Sequence, residues 1–283
     1  MAYFAESSVI NLPWLLLLTF IGFLPSIIWL AFYLHEDVKP EPKKFVLFVF
    51  IAGMLSAFAA AVLEINIGCF ITGECAKNGS QAIGDLKNAT QFNGLIFAFV
   101  GVALSEEIVK YLAVYFTILR RKAFDEPVDA MIYMIVAALG FAAVENVFTV
   151  RLVASQGGGL NDIAAILTLR FLGATFLHTL SSGIVGYALA RAFFSKRSHF
   201  ILLVPSLIIA MIIHGLYNTF VGKTFDAELG SADFNYFFRS IIILLIGTGA
   251  ALIILFQHLR QIGAGHKFIN VGDHAQESLT ISD

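Results

Sequence analysis

Long apolar runs separated by short polar links organise this chain, and the runs set its expected architecture. Seven of them, at about 12–34, 45–70, 94–118, 128–150, 163–190, 200–222 and 235–257, are predicted to be helices. At 1.5 Å rise per residue, each is long enough to cross a hydrocarbon core of about 30 Å. Pro13, Pro25 and Pro205 fall inside such runs, which membrane helices tolerate. The pattern therefore predicts an all-α fold, a polytopic membrane bundle of about seven transmembrane helices in one domain over residues 1–258. The polar segment 259–283, with Gly263 and Gly265, is expected to be a mobile cytoplasmic tail. The first run is expected to stay as an anchor, because its flank Met1–Asn11 carries Glu6 and no Lys or Arg.

Composition agrees with this reading. The 283 residues are 58% hydrophobic and 13% charged, against about 45–50% and about 25% in a soluble domain. A net charge of −2 and the lack of a basic patch exclude a nucleic-acid partner. Basic residues gather in alternate loops: Lys39, Lys43 and Lys44; Arg120, Arg121 and Lys122; Arg191, Lys196 and Arg197; and Arg260 and Lys267 near the C-terminus. The opposite loops hold only Lys77, Lys87, Arg151 and Lys223. Positive loops stay inside, so the N-terminus is predicted outside and the C-terminus in the cytoplasm. Cys69 and Cys75 then fall on the outer side, where a small-loop disulfide or two free thiols are both allowed. Two cysteines do not support a thiolate zinc site.

The informative positions are the polar ones inside the runs. The third run contains S-E-E-I-V-K, with Glu106, Glu107 and Lys110. One charge at mid-bilayer costs about 2.5–3.5 kcal/mol, so three together call for a protein interior or a wet cavity. Both glutamates lie within a helical turn of Lys110, yet as neighbours they diverge by about 100° around the axis. One can serve a reacting centre while the other holds Lys110. A purely structural ion pair is the plain alternative, but it leaves one carboxylate spare.

The fourth run adds Phe141, Glu145 and Asn146 as F-A-A-V-E-N, where a lone glutamate would otherwise reach for the interface. The fifth adds His178, with Ala174, Thr175, Ser181 and Ser182 as a small, weakly polar stripe suited to close helix approach. The sixth adds His214 and Asn218, one turn apart. A single membrane histidine is often an interhelical hydrogen bond; two, near three glutamates, suit acid–base chemistry near neutral pH. Glu64, Asn66 and Arg170 are weaker candidates, since Glu64 and Asn66 lie near a helix end and Arg170 either neutralises a glutamate or snorkels outward.

In order, E-E-x-x-K, F-x-x-x-E-N, a mid-span histidine and H-x-x-x-N resemble the PrsW family of intramembrane proteases, relatives of the CAAX prenyl endopeptidases. The likeness runs from about Gly94 to Phe220; each motif alone is weak, and four in order on successive spans are specific. It implies cleavage of a membrane-anchored protein in a bacterial cell membrane, in some bacteria an anti-sigma factor. It also implies a catalytic set of Glu106, Glu107, Glu145, His178 and His214, with Lys110, Asn146 and Asn218 in support. Glu106, with a histidine, is the candidate base that activates water. A divalent metal such as zinc, held by His178, His214 and a glutamate, is an open alternative, although no H-E-x-x-H pairing is present. Two other classes compete: a non-catalytic scaffold, as in the organising subunit of gamma-secretase, and a proton-coupled transporter. The doubled glutamate argues against the first, and the missing internal repeat argues against the second.

Overall fold

The computed structural model describes residues 12–35, 41–72, 91–119, 126–194 and 199–265. The predicted spans form seven helical rods. They are α1 Leu12–His35; α2 Lys43–Thr72; a third rod of α3 Gln91–Ile96, a π-helical stretch Phe97–Leu104 and α4 Ser105–Thr117; and α5 Pro127–Ser155. The fifth rod joins α6 Leu160–Leu169, a π turn Arg170–Ala174 and α7 Thr175–Phe194, and α8 His199–Asp226 and α9 Ala232–Gly265 complete the bundle. No strand occurs among the described residues. Six rods are long and apolar enough to cross a membrane; the third, with its three charges, is the exception. This is a polytopic helical membrane protein.

Helix α5 occupies the centre. It begins where Pro127 sits at the first helical position and the Asp129 carboxylate accepts the Glu126 backbone N–H at 2.7 Å. Beyond that cap, residues 130–144 are small or apolar apart from Tyr133, and from Ala130 to Leu139 all are almost fully buried. Its neighbours approach backbone to backbone. A Cβ on Gly53 of α2 would strike the Ala137 carbonyl, and one on Gly186 of α7 would lie 2.7 Å from Met131 Cα. Small residues at such crossings let helices pack without a hydrophobic driving force in lipid. Helices α1, α2 and α7 thereby surround α5, and α8 and α9 extend the wall beyond α7. Phe20, Leu55, Ile243 and Ile246 point outward, as a lipid-facing rim requires.

The two π segments depart from the uninterrupted helices expected at 94–118 and 163–190. A π turn bonds N–H to the carbonyl five residues back, which widens the helix and leaves carbonyls short of partners. Both segments are braced. The Ser105 hydroxyl reaches the Gly101 and Val102 carbonyls at 2.5 and 3.0 Å. Trp29 Nε1 of α1 donates to the Phe171 carbonyl at 2.9 Å, while its ring stacks on Phe171 and Phe176. Each π segment lies within a turn of a helix bearing candidate site residues, where it sets their angular position.

Cys75, and with it the Cys69–Cys75 pairing, lies outside the described residues, as do most of the loop to Asn93 and the chain after Gly265. Helix α9 itself continues into the segment expected to be the tail.

Candidate functional site

Four rods converge on one cluster. Lys110 of α4 is its hub, fully buried with its ammonium over the Phe141 ring, 4.2 Å from the ring centroid. An ammonium has three donors. Lys110 has three acceptors, Glu106 Oε2 at 3.1 Å, Glu107 Oε1 at 3.0 Å and His178 Nδ1 at 2.8 Å. The expected α-helical spacing thus places both glutamates on Lys110, and a second helix brings the histidine.

The adjacent glutamates then part company. Glu107 is saturated: besides Lys110 it accepts Ser181 Oγ at 2.9 Å and Ser182 Oγ at 2.8 Å, and it lies 3.3 Å from His214 Nδ1. No part of its side chain reaches the surface. Glu106, by contrast, has Lys110 as its one hydrogen-bond donor among the described residues. Its Oε2 stands 3.8 Å from both His178 Nδ1 and His214 Nε2.

The partners fix the histidine tautomers by elimination. A carboxylate can only accept, so His214 Nδ1 carries the proton toward Glu107 and leaves the Nε2 lone pair facing Glu106. His178 Nδ1 accepts from Lys110, so Nε2 carries the proton and donates to Glu145 Oε2 at 2.6 Å. The two rings meet edge to face with centroids 5.0 Å apart. One Glu106 oxygen thus stands 3.8 Å from a ring nitrogen of each histidine.

Glu145 closes the other end. It is about a third exposed and is held by His178 and by Arg170 Nη2 at 3.2 Å. Arg170 Nε also donates to Asn146 Oδ1, whose amide nitrogen donates to Thr175 Oγ1 at 3.1 Å. Asn146 is thus placed behind Glu145 as a brace. Glu145 faces a pocket of about 210 Å³ that it shares with Ala57, Ala61, Glu64, Phe141, Phe148 and Thr149.

Of the residues expected from sequence, Glu106, Glu107, Lys110, Glu145, Asn146, His178 and His214 come together. Asn218 does not join the network; it is half-buried and has no side-chain hydrogen bond among the described residues. Arg170 takes the first of its two expected alternatives, pairing with a glutamate, and Thr175, Ser181 and Ser182 belong to the network although sequence reasoning gave them no such role. Their signal was spacing: Ser181 and Ser182 follow His178 by one turn.

Glu106, His178 and His214 each offer one ligand atom, and the three atoms lie within 4.8 Å of one another. One carboxylate with two imidazoles is a donor set used by catalytic zinc sites. The residues fit such an ion in type and proximity. Lys110 already binds two of these three ligand atoms, so ammonium and metal are alternative partners for the same lone pairs.

A family model described as PrsW family intramembrane metalloprotease matches residues 41–248. The protein named Protease PrsW from Geobacillus kaustophilus is 29% identical over 198 residues, covering 70% of this chain and 76% of that protein. Its namesake from Oceanobacillus iheyensis is 26% identical over 216 residues, covering 73% and 83%. The Bacillus subtilis protein of that name is 25% identical over 199 residues, covering 70% and 79%. No solved structure matches.

Proposed function

The chain belongs to the PrsW family of intramembrane proteases, and from that premise we propose that it hydrolyses a peptide bond of a membrane-anchored protein, of the anti-sigma-factor kind, at the Glu106–His178–His214 cluster. The observation that carries the reading is one buried Glu106 oxygen, with Lys110 as its one hydrogen-bond donor among the described residues, standing 3.8 Å from a ring nitrogen of each histidine.

In this reading Glu106 takes the proton of a water molecule as the oxygen attacks the scissile carbonyl. Glu107 keeps His214 in the tautomer whose Nε2 faces Glu106, and Glu145 does the same for His178. Lys110 supplies positive charge that offsets the developing oxyanion. Glu106, His178 and His214 would hold a divalent metal such as zinc. When bound, such an ion acidifies water and polarises the carbonyl. With such an ion in place, Lys110 would have to release Glu106 and His178 and would keep Glu107 as its partner. The charge bias of the loops supports an outer N-terminus and a cytoplasmic C-terminus.

The test is co-expression with single-span membrane reporters. The native chain is expected to cleave one of them and Glu106→Gln to lose about 10²–10⁴-fold in rate. Undiminished cleavage by a correctly folded Glu106→Gln would overturn the assignment and favour a scaffold. Chelation of the purified enzyme, followed by zinc add-back, separates the two forms: loss and recovery assign the metal, and full activity in metal-free protein assigns the glutamate alone.

A further inference from the structure

Arg170 stands at the first position of the π turn, eight residues before His178. In an unbroken α-helix, residues eight apart point about 80° from each other. The wider turn from Arg170 to Ala174 rotates them back toward a common side, so that both side chains reach the same Glu145 oxygen. The bend is secured on two sides. Trp29 takes the Phe171 carbonyl, and Gly173 lies so close to the Tyr217 hydroxyl of α8 that a Cβ there would collide with it.

The guanidinium is equally determined. Asn146, itself fully buried and anchored to Thr175, fixes Arg170 Nε, which leaves Nη2 for Glu145. Such a chain is more than charge neutralisation needs. A lysine snorkelling to the same carboxylate would cancel its charge without Asn146, Thr175 or the π turn. What the arrangement adds is direction: it holds a part-exposed carboxylate against His178 Nε2–H although Glu145 also lines the open pocket beside it.

Resting on the proteolytic reading above, we propose that Arg170 is a positioning residue, brought onto Glu145 by the π turn so that His178 keeps its Nε2–H tautomer and presents Nδ1 to the reacting centre. Arg170 acts through Glu145 and touches neither water nor substrate.

Two readouts test this on the full-length protein in detergent. Long-range ¹H–¹⁵N spectra of histidine-labelled protein, with His178→Gln to assign the signal, report the tautomer without any turnover. The native chain is expected to show His178 as Nε2–H alone, Arg170→Gln a mixture, and Arg170→Lys an intermediate. An unchanged His178 tautomer in Arg170→Gln overturns the proposal whatever the activity. In cleavage assays Arg170→Gln is expected to lower kcat about 10–100-fold with KM unchanged. Adding it to Glu145→Gln should cause no further loss, because both remove the same link. Additive losses, or a lowered melting temperature with native kcat per folded molecule, would assign Arg170 a merely structural role. Should the native chain cleave nothing, the proteolytic reading falls, and the tautomer spectra still decide on Arg170.

Discussion

The two ends of the buried cluster contrast sharply. Around Glu107 four donors gather, Lys110, Ser181, Ser182 and His214, and the carboxylate is sealed. Around Glu145 the carboxylate is about a third exposed and faces a cavity that also holds Glu64. The two environments separate two tasks. A saturated charge resists movement and serves as a fixed reference for its neighbours, whereas an accessible one remains open to water and to a substrate segment arriving from the membrane. Glu106 lies between them, one residue from the sealed carboxylate yet free of its serines.

If this division holds, substitutions at the sealed end should lower stability and those at the open end should spare it. The largest effect is expected from Glu107→Ala. Removing one member of a buried charge group costs about 3–5 kcal/mol, read as a fall in melting temperature in detergent. Native-like melting for this variant would break the contrast. Ser182→Ala removes one hydrogen bond to a charged acceptor and should cost about 1.5–3 kcal/mol by the same measurement. Trp29→Phe keeps the aromatic stack but strips the donor from the Phe171 carbonyl, for about 1 kcal/mol. The smallest shift is expected from Glu64→Gln, within about 0.5 kcal/mol, because its carboxylate lines the open pocket. A large loss there would show that the open end is structural as well.

Much of this was legible in the amino-acid order. Apolar runs located the seven rods, since span length and hydrocarbon thickness leave few options, and four polar interruptions located the cluster. Glu106 and Glu107 could be said to diverge, but which one would be sealed depends on Ser181 and Ser182, which arrive from a helix more than seventy residues away. Those serines read as small packing residues because a hydroxyl on an apolar helix ordinarily returns to its own backbone. For Arg170 the sequence left two alternatives, neutralising a glutamate or snorkelling outward, for a geometric reason: the segments FAFVGVAL and RFLGA contain nothing that marks a π turn, and with α-helical periodicity Arg170 and His178 point about 80° apart. Asn218 shows the opposite error, since correct spacing from His214 did not bring it into the network.

The enclosed position of α5 bears on how the enzyme comes into being. Membrane insertion delivers spans in chain order, so α5, with Glu145 and Asn146, precedes the rod that supplies Arg170, Thr175 and His178. Until that rod and α8 dock, the nascent bundle lacks both cluster histidines, His178 and His214, and the brace for Glu145. If the Glu106–His178–His214 cluster is the reacting centre, cleavage competence waits on the closing of the helical wall.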